Sequence, residues 1–125
     1  MQKITKETPL AVVGVSQNPE KYGHKIFKDL VAAGYAVTGI NPKGGTVSEQ
    51  ELATSLANVT PKPEVVISVV PPQIGLEVLK EAHDLGITHI WLQPGAESEE
   101  LEKLADELNI TLTTNACFMI RERLW

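Results

Sequence analysis

The sequence predicts an α/β fold, a mainly parallel sheet of five strands held between two layers of helices. Three observations predict it. Short, β-branched apolar runs alternate with amphipathic helical stretches from one end of the chain to the other. The runs are apolar on both faces, as strands covered by helices on each side must be. Gly, Pro or Asn stands where most of these elements stop.

The first strand is Leu10-Ala11-Val12-Val13-Gly14-Val15. A helix follows, with Ile26, Phe27, Leu30 and Val31 on one face and Gly34 placed as its C-terminal cap. Ala36 to Ile40 reads as a second strand, stopped by Asn41-Pro42. Thr46 to Val59 is weakly helical around Leu52 and Leu56. Val65-Val66-Ile67-Ser68-Val69-Val70 is the clearest strand, ended by Pro71-Pro72. The next helix carries Ile74, Val78, Ala82 and Leu85 on one face and closes at Gly86. His89-Ile90-Trp91-Leu92 is a fourth strand, stopped by Pro94-Gly95. Leu101, Leu104, Ala105 and Leu108 mark a third helix, with Glu97, Glu99 and Glu100 near its positive end. Ile110 to Thr113 forms a short fifth strand, and Phe118 to Trp125 reads as a final helix. Such alternation makes a Rossmann-like three-layer αβα domain with a mainly parallel five-stranded sheet.

A chain of 125 residues fills one domain, 1–125, with no room for a separate catalytic domain. With 42% hydrophobic and 22% charged residues it has the composition of an ordinary globular protein; at 5% aromatics, its core rests on Val, Ile, Leu and Ala. The formal net charge of −5 argues against nucleic acid as a partner. It does not exclude anionic small molecules, which local donors hold. Cys117 is the only cysteine, so no intrachain disulfide is expected. The polar stretch from Met1 to Leu10 lacks the apolar core of a signal peptide, and Val65 to Val70 is far too short to span a membrane. The expectation is a cytoplasmic, reduced protein without a membrane partner.

In a parallel sheet of this kind, ligands bind outside the carboxyl ends of the strands, near the reversal of strand order. The exits read Gly14-Val15-Ser16-Gln17-Asn18, Asn41-Pro42-Lys43-Gly44-Gly45, Pro71-Pro72-Gln73 and Gln93-Pro94-Gly95. The first leads into a helix, whose N-terminal N–H groups and dipole suit a phosphate. Gly14 lets a backbone approach, Ser16 offers a hydroxyl, and Lys21, His24 and Lys25 add donors nearby. A ligand-free strand-to-helix turn would carry the same residues, and the loop alone does not separate the two. Of the dinucleotide fingerprint G-x-G-x-x-G only the first glycine is present. Asn41, followed by Lys43, stands where an NAD site places a carboxylate. That favours a ligand with a phosphorylated ribose, NADP or coenzyme A, over NAD, although Lys43 taken alone also suits a solvated loop.

Taken together, Ala11-Val12-Val13-Gly14-Val15-Ser16 with Lys21-Tyr22-Gly23, Gly34-Tyr35, Asn41-Pro42, Val69-Val70-Pro71-Pro72, Trp91-Leu92-Gln93-Pro94-Gly95 and Asn115-Ala116-Cys117-Phe118-Met119 resemble the stand-alone CoA-binding domain family. That family is similar to the nucleotide-binding first domain of the succinyl-CoA synthetase α subunit. The resemblance implies coenzyme A, or an acyl-CoA, bound across the strand exits. It implies phosphates facing Gly14-Val15-Ser16 and Lys21, with Tyr22 and Gly23 also among the binding residues, and Asn41, Pro42 and Lys43 at the adenosine end. It also implies an apolar wall of Val70, Pro71 and Pro72, with Gln93, Pro94 and Gly95 bordering the pantetheine. Family members often carry Asp-Arg before the cysteine, where this chain has Asn115-Ala116.

No catalysis is expected from the domain alone, because the phosphorylation and ligation domains of the synthetases are missing. His24 lies beside the first loop, His83 reads as a helix-surface residue, and His89 as a structural one. No metal site is expected, since no His-Cys-acid cluster has ligand spacing. Cys117 reads as a partly buried structural cysteine. Ser16 lacks the G-x-S-x-G elbow of a hydrolase nucleophile. Two alternatives stay open: an NADP-binding oxidoreductase-like domain, and a regulatory protein-interaction module that uses the same cleft; a protein partner or a homo-oligomer is the further expectation.

Overall fold

Four-residue apolar strands form the middle of the molecule, a computed structural model that describes residues 4–125. The first three residues of the expected domain, 1–125, lie outside the described residues. The strands are β1 (Leu10–Val13), β2 (Val37–Ile40), β3 (Thr46–Val47), β4 (Gln50–Glu51), β5 (Val65–Ser68), β6 (His89–Leu92) and β7 (Thr111–Thr113). The helices are α1 (Tyr22–Ala32), α2 (Pro72–Asp84), α3 (Glu99–Glu107) and α4 (Phe118–Arg121). One sheet runs in the order β2-β1-β5-β6-β7, parallel throughout. This is the predicted Rossmann-like fold.

Alternation along each strand decides which helix it meets. Leu10, Val12, Val65, Ile67 and Trp91 point to one face, where Ile26, Phe27 and Leu30 of α1 and Phe118 and Met119 of α4 cover them. Ala11, Val13, Val66, Ile90 and Leu92 point to the other, beneath Val78, Leu79 and Ala82 of α2 and Leu101 and Ala105 of α3. The chain passes from β1 through α1 to β2 on one side, then returns across β1 to begin β5 on the other. The strand order therefore reverses between β1 and β5, which opens a crevice above their carboxyl ends. Val13, Ile40, Ser68 and Leu92 lie level in the register there.

The helix ends follow local rules. Beyond α1, Gly34 takes φ +86°, Gly34 N–H donates to Val31 O and Tyr35 N–H to Leu30 O. Gly86 does the same for α2, and Asn109, at φ 57°, for α3. Ser98 caps α3, its Oγ accepting from Leu101 N–H at 3.2 Å, with Glu99, Glu100 and Glu102 in the first turn.

Two expectations are corrected. The stretch from Thr46 to Val59 is not a helix but the β3–β4 hairpin followed by a short 3-10 turn at Leu56–Asn58. Ser48 and Glu49 both take positive φ, 52° and 63°, which makes a tight hairpin and bars a helix. The final helix also stops at Arg121 rather than reaching Trp125. Arg123 turns left-handed at φ 60°, and Leu124 N–H bonds back to Met119 O.

Candidate functional site

The crevice at the strand reversal begins with a glycine that nothing else replaces. Gly14 takes φ +106°, and a Cβ there would lie 2.7 Å from Val69 Cγ2 and 3.0 Å from Val70 Cγ1. Gly23, in the first turn of α1, packs directly on the Gly14 carbonyl, where a side chain has no room. The two glycines let α1 start close against the end of β1. Gly14 and Val15 N–H both donate to Ile40 O at 3.2 Å, which ties the β1 exit to the β2 exit.

Asn41 strengthens that tie. Its Nδ2 donates to Val15 O at 2.9 Å, and its Oδ1 accepts from Lys43 N–H at 2.8 Å. Ser16 Oγ accepts from Asn18 N–H at 3.0 Å, and Ser16 O accepts from His24 Nδ1 at 2.7 Å. That contact makes His24 a brace of the loop. Gln17 Oε1 accepts from Thr46 N–H at 3.1 Å and holds the β3–β4 hairpin against the same loop. Lys21 precedes α1 with no side-chain cap on the helix, and the first turn holds no acidic residue. The leading N–H groups of α1 thus keep the positive end of its dipole.

Between these exits and α2 lies a cavity of about 290 Å³. Gly14, Val15, Ser16, Asn41, Pro42 and Val70 line it, all six from the predicted set. Val13, Ile40 and Val78 reach it from the core, and Thr54, Ser55, Ile74, Glu77 and Glu81, which were not foreseen, complete it. Ile74, Glu77, Val78 and Glu81 fall at i, i+3, i+4 and i+7 of the first helix after β5, which is the signal that could have found them. A larger groove, about 410 Å³, runs along the outer edge of β2 beside Thr38, Ala53 and Val59, away from the exits of β1 and β5.

The remaining predicted residues stand apart from the cavity. Lys21, Tyr22 and Lys43 are exposed; Gly23 is buried against Gly14. Pro71 and Pro72 open α2 and do not line the cavity. Gln93 is fully buried: its Nε2 donates to the Tyr22 hydroxyl at 2.8 Å and to Cys117 Sγ at 3.4 Å, and its Oε1 accepts from Phe118 N–H at 2.8 Å. Pro94 and Gly95 are exposed, and Gly95 N–H donates to the Glu97 carboxylate. Gln93 thus holds α4 to the end of β6.

Charge follows contact in this second group. Burial and then the neighbouring Cys117 push the Tyr22 hydroxyl up to about 12, against a smaller opposing effect of the Gln93 amide. Burial raises the Cys117 thiol, but hydrogen bonds from Tyr22, the Ile120 N–H, Gln93 and the Met119 N–H outweigh it and hold the thiol below its ordinary value. His89 is buried and shares a hydrogen bond with Thr113 Oγ1 at 2.9 Å; burial, then the charge of Arg121, lowers its pKa. His83 is exposed on α2.

Residues 8–123 match the CoA binding domain family, a span that contains every part of this site. The chain belongs to that family. The CoA-binding domain is similar to a conserved hypothetical protein from Pyrococcus furiosus, with 36% identity and a TM-score of 0.86, covering 91% of this chain and 98% of that one. It is also 23% identical to the uncharacterised protein YneT of Bacillus subtilis, over 94% of this chain and 87% of that protein. Its fold recurs in an acetyl-coenzyme A synthetase from Ca. Korarchaeum cryptofilum, at 24% identity and a TM-score of 0.74, covering 84% of this chain but 25% of that one. Among the described residues no helix is long and apolar enough to cross a membrane.

Proposed function

We propose that the domain binds coenzyme A, free or acylated, across the exits of β1, β2 and β5, and that it has no catalytic step of its own. The observation that carries this is the cavity that Gly14 opens at the strand reversal, within a chain of the CoA-binding family. At about 290 Å³ the cavity lies at the small end of ligand sites. It holds one part of a CoA molecule, and the rest runs over the surface. The adenosine enters beside Asn41 and Pro42. The diphosphate meets the Gly14-Val15-Ser16 turn and the open start of α1, where Lys21 adds a cation. Lys43 meets the ribose 3′-phosphate. The pantetheine follows Val70, Pro71 and Pro72 toward Pro94 and Gly95, whose position rests on the buried Gln93. We place the protein in the cytosol, where a single free Cys117 stays reduced.

A ligand that binds the native state alone raises stability by mass action, by about 2.7 kcal/mol at a hundredfold excess over Kd. Millimolar CoA should therefore raise the melting temperature, and NAD should not. A melting temperature unmoved by CoA, or raised by NAD instead, overturns the reading. Incubation with CoA, ATP and a panel of carboxylic acids should yield no thioester; turnover lost on a strand-exit substitution would establish catalysis.

A further inference from the structure

The cavity at the strand reversal has an electrostatic character that the CoA reading leaves unused. Among the described residues, the only ionisable side chains lining it are Glu77 and Glu81. They stand one turn apart on α2, with Ile74 and Val78 on the same face and Pro42 and Val70 among the remaining walls. Glu81 is half-buried and Glu77 is exposed at the rim, and neither carboxylate has an ion-pair or hydrogen-bond partner among the described residues. Two unneutralised carboxylates repel a phosphate group. They attract a flat, neutral group that carries N–H donors on its edge.

We propose that Glu77 and Glu81 are the specificity determinants of this cavity, accepting hydrogen bonds from the exocyclic 6-amino group of a purine. This rests on the CoA reading and deepens it. Pro42, Val70 and Ile74 offer apolar surface to the faces of the base, and the carboxylates meet its edge. Adenine presents an amino donor at that edge, whereas the phosphates of the same ligand are turned away toward α1 and Lys43. The pair of acids therefore fixes which base is accepted and which end of the ligand enters first. Specificity of this kind combines an attraction for the amino group with a repulsion of the anionic end.

Calorimetry with CoA, and with an analogue in which hydrogen replaces the 6-amino group, tests this on the full chain. A hydrogen bond to an ionised acceptor corresponds to about tenfold to a hundredfold in affinity. The native protein should prefer CoA to the analogue by at least about tenfold. In the Glu77→Ala, Glu81→Ala double variant the two affinities should agree to within about twofold, with binding retained. Alanine suits a helix; should the double variant fail to fold, each single variant should show a reduced preference. Binding of CoA without preference in the native protein, or a preference that survives in the variants, overturns the assignment and leaves the CoA reading intact. No binding of CoA by the native protein overturns both.

Discussion

At the exits of β1 and β2 the chain leaves a cavity of about 290 Å³, while at the exit of β6 it packs the corresponding space with α4. Both regions use side-chain amides to hold loops, but to opposite ends. Asn41 bonds sideways to Val15 O of the neighbouring exit loop and back to Lys43 N–H of its own, and keeps the space above the sheet open. Gln93 bonds upward, to Phe118 N–H and Tyr22, and closes it. Phe118 then lies edge-on to Trp91 at 5.1 Å, Trp91 Nε1 donates to Ala116 O at 2.8 Å, and the Arg121 guanidinium lies 5.3 Å above the same indole. The difference teaches that strand exits of one sheet are not equivalent in the space they leave. Space is left where the order of strands reverses, and the far exit is free to become core.

The largest expected effect attacks the closed region. Phe118→Ala removes a fully buried ring and should cost about 3–5 kcal/mol in urea unfolding. CoA affinity, measured where the variant is still folded, should stay within about twofold of the native value. A much larger loss would mean that the proposed pantetheine path past Pro94 and Gly95 depends on this packing.

The next effect sharpens the open region. On the proposed placement, Lys43→Ala removes a charge-assisted bond worth about 1.5–3 kcal/mol. It should weaken CoA by about ten- to a hundredfold and leave dephospho-CoA nearly unchanged in calorimetry. Lys21→Ala, beside the proposed diphosphate seat, should weaken both ligands alike. Equal losses for Lys43→Ala would reduce that lysine to a general cationic neighbour.

Asn41→Ala removes the side-chain bond between the exit loops and a second within its own loop, each contributing about 0.5–1.5 kcal/mol net, and leaves the backbone bonds to Ile40 O. Stability should fall by one to two such increments, and CoA affinity should fall with it. An unchanged affinity would show that the open region does not depend on its lateral tie.

The smallest effect appears only in alkali. Tyr22 and Tyr35 both have hydroxyls pushed up to about 12, Tyr22 first by burial and then by Cys117, Tyr35 first by burial and then by Glu122. A raised folded pKa means stability that is present below the ordinary value of 10.0 and lost as pH climbs from there toward about 12. Tyr22→Phe and Tyr35→Phe should each reduce the slope of urea midpoints between pH 10 and 12. A slope that neither variant alters would place the alkaline sensitivity elsewhere.

The five main strands and three longer helices were legible because burial on both sheet faces demands unbroken apolar runs, and because Gly34 and Gly86 mark their ends. The hairpin was not. Leu52 and Leu56 share a helical spacing, yet Leu52 packs on the α1 side of the sheet and Leu56 on the α2 side, so the spacing never reflected one face. The turn between β3 and β4 uses Ser48 and Glu49 in conformations that Asn-Gly usually signals. Half of the site was equally legible, since Gly14, Asn41 and Val70 sit at strand exits. Glu77 and Glu81 were hidden by belonging to a helix, where a charge is ordinarily read as solvated. Gln93 was seen as an exit residue, but sequence does not tell which way an amide points.

The two tryptophans of the chain, Trp91 and Trp125, both lie on the closed side. Trp91 is 1% exposed, whereas Trp125 is 47% exposed, its ring tilted against Tyr22 at 5.8 Å with its Nε1 donating to Asp29. Neither lines the cavity. The molecule therefore carries an optical asymmetry: the buried indole reports the integrity of the packed region, while the exposed one reports the Tyr22 corner, at the start of α1. Intrinsic fluorescence can therefore follow loss of the packed core and a change at the Tyr22 corner as two signals, without any added label.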